Sequence, residues 1–374
     1  MTQAIKVLHM DSSMIWGGGQ SQIATLIRES KDRPIEHYLA SPANSKLWLK
    51  TRTHIKGYFP LARTATISPL AMWRVRSYCL KHSIQIIHTH CGKSHTFAFW
   101  LKVLFLPHVK LIIHRRIPTK IRSNFLSREK FMSHAVNYFI TVSEYIREVL
   151  ISGGVEPGRI TCVRSSKKTF ASEPSDKARA REALERTKDL APDGDFFVVS
   201  ASRLVPDKGL FVLIEAFRSL VRDRPRSRLL IAGEGPLESE LKLAGRALTE
   251  TGQLVFLGFR KDVPDLLLGA DIFAIPSLSE GLGSTIVEAM MACTAVVGSA
   301  VEGIPELVKN NINGMTVPPG DPSALYDALL TLATDKAKRQ SLADCALAWA
   351  QSSCIPQIMV SKTCDVYCNV LKVQ

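Results

Sequence analysis

The chain has 374 residues, 46% of them hydrophobic, and a formal net charge of +14. That length is comfortable for two α/β domains, and the composition excludes a disordered chain. No apolar run reaches the roughly 18 residues of a transmembrane helix, and residues 1–10 enter a strand pattern without a secretory h-region, so a cytoplasmic place is the expectation.

Taken in chain order, Ile5-Lys-Val-Leu-His-Met predicts a strand, Trp16-Gly17-Gly18-Gly19-Gln20 a glycine-rich turn, and residues 22–29 a helix. Further strands are predicted at 37–40, 84–88, 109–113 and 139–142, with helices between several of them. Strands alternating with helices imply a parallel sheet covered on both faces. The glycine turn lacks both the dinucleotide spacing and the Walker lysine, so alone it is a weak phosphate signal. Histidines stand at strand ends, at His88-Thr-His90, His95 and His114-Arg115-Arg116. A single histidine is more often a structural hydrogen-bonder, but His114 sits at the carboxyl end of a strand, where open α/β sheets place ligands. Residues 165–195 are polar and charged and read as the linker between domains. Within them, Asp193-Gly-Asp195 reads as a turn rather than a metal site.

The second half repeats the strand–helix logic. Phe196-Phe-Val-Val-Ser-Ala leads into Ser202-Arg203-Leu-Val-Pro-Asp-Lys208-Gly209, then a helix with Leu213, Ile214 and Phe217 on one face. Leu229-Leu-Ile-Ala-Gly-Glu-Gly235-Pro236 and Leu254-Val-Phe-Leu-Gly258-Phe follow. After a short buried strand, Asp271-Ile-Phe-Ala-Ile, comes Glu280-Gly-Leu-Gly-Ser-Thr-Ile-Val-Glu288. Here two carboxylates are separated by a glycine turn and the first turns of a helix. Glycine lets backbone N–H groups approach a ligand, and a helix N-terminus favours an anion. The pattern suits a negatively charged, hydroxyl-rich ligand such as a sugar nucleotide.

The order strand–Arg-Leu-x-x-x-Lys-Gly, Ala-Gly-Glu-Gly-Pro, Phe-Leu-Gly, Glu-Gly-x-Gly-x-x-x-x-Glu resembles the donor-binding domain of family 4 (group 1) retaining glycosyltransferases. The resemblance implies a GT-B fold, α/β, with two Rossmann-like doubly wound domains facing each other across a cleft. The expected acceptor-binding domain is residues 1–168, with a final helix, 355–374, crossing back onto it; the expected donor-binding domain is 190–354. The chain departs from the family at Cys162-Val-Arg-Ser165-Ser166-Lys167-Lys168, where a Gly-Val-Asp ending is usual, and at Ser202, where glycine is usual.

Transfer from a nucleoside-diphosphate sugar requires stabilising the departing diphosphate. Arg203 and Lys208 on one loop fit a metal-free design, with a bidentate grip from Arg and a point charge from Lys. No metal or other cofactor is expected. By resemblance, His114 and Glu280 join Arg203 and Lys208 as the catalytic set, with Glu280 either orienting sugar hydroxyls for front-face attack or acting as a nucleophile. Glu288 would accept from ribose hydroxyls, and the backbone at Leu282, Gly283, Ser284 and Thr285 would cradle the diphosphate. Gly18 and Gly19 would face the donor, and Gly235 with Pro236, and Gly258 with Arg260, would flank the base. His90, Lys93, Arg115 and Arg116 are the expected acceptor-binding residues. A UDP-sugar is the expected donor, although base identity is poorly encoded.

Charge is uneven: residues 1–170 hold 26 Lys+Arg against 8 Asp+Glu, and all ten histidines fall in the first half. The N-terminal half is therefore expected to face something acidic. A glycan or glycolipid acceptor and an anionic membrane surface are the expected partners, the latter docked through residues 97–106 and 120–132 at the inner face of the membrane; the same stretches read equally as a core helix beside a solvated basic loop. Nucleic acid is not, since interleaved aromatics, a zinc pattern and a recognition helix are all missing. The eight cysteines contain no Cys-x-x-Cys pair and read as reduced thiols. A second reading, motivated by Ser165-Ser166-Lys167-Lys168, is a sugar-nucleotide-binding or regulatory protein without turnover.

Overall fold

The computed structural model describes residues 4–61, 68–118, 121, 125–168, 174–185 and 196–372. The chain divides into two compact units, Met1–Ser166 with Pro356–Gln374, and Lys167–Ile355.

In chain order, the first unit contains β1 (Ile5–Met10), α1 (Gly18–Glu29), β2 (Ile35–Ser41), α2 (Lys46–Thr51), β3 (Gly57–Pro60), α3 (Pro69–His82), β4 (Ile86–Thr89), α4 (Gly92–Phe105), β5 (Lys110–Arg115), α5 (Phe125–Met132), β6 (Tyr138–Thr141), α6 (Glu144–Ser152) and β7 (Ile160–Cys162). Its seven strands are ordered β3-β2-β1-β4-β5-β6-β7 and pair in parallel. The strand order reverses between β1 and β4, so the loops that follow these two strands lie together at the switch point.

Side chains alternate across this sheet. Leu8, Met10, Ile87, Leu111 and Phe139 pack with residues of α3 and α4 on one face. Val7, Ile86, Ile112 and Ile140 belong to a separate cluster on the other. Two residues beyond Val7, Ile86 and Ile112 come His9, His88 and His114, so this second face turns from aliphatic to imidazole at the carboxyl ends of three adjacent strands. Ser68, followed by Pro69, caps α3, and Ser143 caps α6 by accepting from the N–H of Ile146.

The second unit contains α7 (Pro174–Glu185), β8 (Phe196–Ala201), α8 (Leu210–Asp223), β9 (Ser227–Ala232), α9 (Glu238–Ala244), α10 (Arg246–Glu250), β10 (Leu254–Gly258), α11 (Val263–Gly269), β11 (Ile272–Ile275), α12 (Ser284–Met291), β12 (Ala295–Ser299), α13 (Ile304–Leu307), β13 (Met315–Val317), α14 (Pro322–Thr334) and α15 (Lys336–Ser353). Its parallel sheet is ordered β10-β9-β8-β11-β12-β13, with the switch point between β8 and β11. The strands are near-continuous apolar runs, as burial on both faces demands. On α8, Leu210, Leu213, Ile214, Phe217 and Leu220 form the buried stripe of a helix laid on a sheet. Phe217 is fully buried, and truncating such a ring costs about 3–5 kcal/mol.

The last helix, α16 (Pro356–Leu371), belongs to the first unit. Its Met359, Val360, Cys364, Val366 and Tyr367 pack against Val7, Ile86, Ile112 and Ile140.

Two expectations change. The segment taken as a linker contains α7, which packs against α11: Leu184 is buried, Arg181 pairs with Asp271 at 2.6 Å, and the Ala180 carbonyl lies so close to Gly269 that a Cβ there would sit 2.7 Å away. The second unit thus starts at Lys167 rather than near residue 190. The stretch 97–106, expected to dock on a membrane, divides between the two faces of α4: Phe97, Phe99, Leu101 and Lys102 are buried in the core, while Val103 and Leu104 are exposed. Asp193, Asp195, Lys120 and Arg122 lie outside the described residues.

Candidate functional site

In the second unit, the loops after β8 and β11 meet at the switch point. The Asp207 carbonyl accepts from the N–H groups of Leu278 (2.8 Å) and Ser279 (3.3 Å), which stitches one loop to the other. Gly209 must be glycine: its φ is +61°, and a Cβ would lie 2.0 Å from the Pro276 carbonyl oxygen. Across this junction Lys208 Nζ donates to Glu280 Oε2 at 2.5 Å, with both side chains mostly buried. An ammonium has three hydrogens, so Lys208 can hold Glu280 and still donate to a phosphate oxygen. Arg203, on the same loop, is exposed.

The Glu280 loop is held from beneath. Glu302 accepts from the Glu280 N–H at 2.6 Å and from Ser279 Oγ at 2.9 Å, and it does so from a left-handed backbone, φ +49°. A non-glycine residue in that region stores strain, which the loop's hydrogen bonds offset. Gly303 packs so closely that a Cβ would sit 2.2 Å from the Gly281 carbonyl oxygen. Next, Gly283 (φ +83°) starts α12 without any side-chain cap. The N–H groups of Ser284 and Thr285 therefore have no partner within the helix, and with the helix dipole they favour negative charge at this end. Glu288, one turn further along α12, forms an ion pair with Lys167 through Oε1.

The remaining expected residues of this unit are placed as follows. Gly235 underlies the Leu204 backbone, where a Cβ would meet the carbonyl oxygen at 2.3 Å, and Gly258 has φ +62° with open space around it. Arg260 is held bidentately by Asp262, Nε to Oδ1 at 2.8 Å and Nη2 to Oδ2 at 2.5 Å. Leu282 is buried.

In the first unit, Gly18 opens α1 and Gly19 lies against Arg116, with a Cβ 3.3 Å from Arg116 Cδ. Asp11, after β1, accepts from the Ser13 N–H at 2.7 Å and from Gln20 Nε2 at 3.1 Å. Burial raises its carboxyl pKa, with the Ser13 and Gln20 bonds and the Arg116 charge opposing. Arg116 Nη2 stands 3.3 Å from His114 Nδ1 and 3.4 Å from His90 Nδ1. Burial brings the Arg116 pKa down to about 10, against the pull of Asp11. His114 is driven well below the usual histidine value by burial first and the Arg116 charge next, so at neutral pH it is uncharged.

His90 was expected to face an acceptor. Instead it is buried with both ring nitrogens engaged, Nε2 with His9 Nδ1 at 3.0 Å and Nδ1 with Arg116. Arg115 packs its guanidinium 5.3 Å from the Phe131 ring centre, a cation–π contact. Lys93 is exposed in the first turn of α4. Sequence reasoning missed Lys167 as the partner of Glu288, Glu302 as the brace of Glu280, and Tyr367, whose hydroxyl meets His88 Nδ1 at 2.7 Å. A signal existed for the histidines: His88-x-His90 and His114-x-Arg116 put successive polar side chains on one face of adjacent strands.

The fold is that of a two-domain α/β protein, each domain with a switch point at which charged and polar side chains gather. Residues 16–165 match the family described as Glycosyltransferase Family 4, and residues 182–349 match Glycosyl transferases group 1. The chain belongs to the group 1 glycosyltransferases of GT-B fold. It is similar to the amylovoran biosynthesis glycosyltransferase AmsK of Erwinia amylovora, 37% identical over 148 residues, which are 37% of this chain and 36% of that protein. It is also similar to the UDP-Gal:alpha-D-GlcNAc-diphosphoundecaprenol alpha-1,3-galactosyltransferase of Escherichia coli, 25% identical over 68% of each chain. The match thus spans about a third of the first relative and two thirds of the second. Among solved structures, Anabaena Alr3699/HepE in complex with UDP and glucose superposes with a TM-score of 0.81 at 21% identity, covering 96% of this chain and 98% of that one.

Proposed function

We propose that the chain transfers a sugar, with retention and without a metal, from a nucleoside-diphosphate sugar to a glycan or glycolipid acceptor. The observation that carries this reading is the Lys208–Glu280 pair at the β8/β11 switch point, beside the uncapped N-terminus of α12. Lys208, Arg203 and the N–H groups of Ser284 and Thr285 supply fixed positive charge and donors where a diphosphate leaves. Glu280, braced by Glu302, orients sugar hydroxyls and stabilises positive character at the anomeric carbon; attack from the front face within an ion-pair-like transition state gives retention. Glu288 accepts from the ribose hydroxyls. His114 and the basic groups of the first unit serve the sugar and the acceptor.

A UDP-sugar is the donor we favour, in keeping with the UDP and glucose of the Anabaena structure and the UDP-galactose named for the Escherichia coli relative. That relative's diphosphoundecaprenol acceptor supports a membrane-borne glycolipid and, with the basic N-terminal half, an anionic membrane surface as a partner. A second reading, nucleotide-sugar binding without turnover, is motivated by the departure at Ser165-Ser166-Lys167-Lys168.

A thermal-shift panel of UDP-, GDP- and ADP-sugars tests the reading, because a ligand that binds the native state raises its apparent stability. A UDP-sugar is expected to raise Tm and to be turned over in excess EDTA. No shift with any donor contradicts the site, a shift without turnover selects the second reading, and activity lost to chelator and restored by Mg²⁺ or Mn²⁺ contradicts the metal-free mechanism.

A further inference from the structure

The histidines of the first unit form a chain whose proton positions follow from its two ends. At one end, Ser30 Oγ lies 2.6 Å from the Leu26 carbonyl oxygen, which can only accept, so the hydroxyl hydrogen is used there. Ser30 Oγ must then accept from His37 Nε2, also 2.6 Å away. His37 therefore carries its hydrogen on Nε2, and its Nδ1 accepts from His9 Nε2 at 2.9 Å. In turn His9 Nδ1 accepts from His90 Nε2 at 3.0 Å. That leaves His90 Nδ1 as an acceptor, and it faces Arg116 Nη2, a group that can only donate. Either end alone fixes the direction, and both fix the same one. The second hydrogen of Arg116 Nη2 points to His114 Nδ1.

We propose that Arg116 is the positioning residue that holds His114 as the neutral Nε2–H tautomer, with His90, His9 and His37 forming a one-way hydrogen-bond chain from Arg116 to Ser30. The Nδ1 lone pair of His114 is taken by Arg116, so His114 is not a general base. Its Nε2, buried and without a hydrogen-bond partner among the described residues, is an N–H donor suited to an oxygen acceptor, a hydroxyl or a phosphate oxygen. This last consequence rests on the transferase reading; the chain itself does not. Burial and the surrounding positive groups keep every link uncharged: His37 falls to about 4 and His88, beside the chain, to about 3, while Asp11 is the carboxylate that faces Arg116.

A metal ion is the competing occupant, since ligand atoms of His9, His88 and His90 lie within 4.8 Å of one another. The chain excludes it. His90 Nε2 carries a hydrogen rather than a lone pair, and reversing that tautomer would turn the Nδ1–H of His90 against the Arg116 guanidinium.

The test is long-range ¹H–¹⁵N correlation NMR on the full chain with ¹⁵N-histidine. His9, His37, His90 and His114 are expected as neutral Nε2–H tautomers from about pH 5.5 to 8, the range in which an ordinary histidine titrates. Arg116→Met should release His114 to a mixed tautomer, and Arg116→Lys, which keeps a donor, should restore it. Ser30→Ala should leave the tautomers of His90 and His114 unchanged, because the Arg116 end sets them alone. An Nδ1–H tautomer at His90 or His114, an unaltered His114 in folded Arg116→Met, or stoichiometric Ni²⁺ or Zn²⁺ uptake shifting His9, His88 and His90 would overturn the proposal. If Arg116→Met does not fold, the wild-type spectrum decides. Failure of the transferase reading would instead appear as no turnover with any donor and an intact tautomer pattern.

Discussion

At the scale of single residues, the carboxylates are the informative groups. Glu288 is paired with Lys167 rather than solvated, so its position is set before any ligand arrives. A carboxylate accepts two ribose hydroxyls where an amide offers a single acceptor oxygen. Glu288→Gln is therefore expected to weaken nucleotide affinity about 10-fold, on the scale of one hydrogen bond to a charged group. Calorimetry that shows unchanged affinity would remove the ribose role. The sequence made Glu280 and Glu288 legible because spacing alone carries them. It hid Lys167 and Glu302, because their partners lie 121 and 22 residues away and only the fold brings them together.

At the scale of elements, the long apolar strands and the amphipathic α8 were legible from periodicity, and the short edge pieces were not. Gly57–Pro60 and Ile160–Cys162 are strands of four and three residues at the sheet's two edges, too short for an alternating pattern to show. Pro174–Glu185 reads as linker because its composition is polar, yet Ala180 and Leu184 give it a buried stripe against α11. The final helix shows what packing adds: Tyr367 is fully buried and reaches His88. Tyr367→Phe keeps the ring's volume and leaves His88 Nδ1 buried without a partner, which costs about 1–3 kcal/mol. Chemical denaturation should show that loss, and an unchanged midpoint would mean that His88 finds another partner.

At the scale of the whole molecule, the clustered histidines make stability depend on pH. Their folded pKa values lie below the unfolded value of about 6.5, so the unfolded chain binds more protons between the two. His37 at about 4 and His88 at about 3 set the window. Stability should therefore fall as pH drops from about 6.5 toward 4. Asp11, raised by burial, opposes this weakly as one group among several. A Tm that stays flat or rises over that window would contradict the buried neutral histidines.

The membrane partner proposed for the basic half can be given a surface. In addition to Val103 and Leu104 on α4, the exposed apolar side chains of α3, Leu70, Trp73 and Leu80, stand beside Arg74, Arg76 and Lys81 with no acidic residue on the helix. Trp73, Arg74 and Lys81 also line a groove with Phe59, Pro60 and Tyr78. Each Lys or Arg near an anionic bilayer gains about 1 kcal/mol, screened by salt. The protein should co-sediment with anionic vesicles at low salt, release as salt rises and ignore neutral ones. Trp73→Ser should weaken the binding, and equal binding to both vesicle types, or to neither, would move the partner to a soluble acidic acceptor.

The most direct measurement of the central claim is the turnover of Lys208→Ala on the donor that gives the largest thermal shift, with Arg203→Ala beside it. Removing one preorganised donor to developing charge costs about 100-fold or more in kcat. If Lys208 and Arg203 stabilise the departing diphosphate, each variant should fold normally and lose at least about 100-fold in turnover. Wild-type turnover in a folded Lys208→Ala protein would contradict the assignment of this switch point as the transfer site.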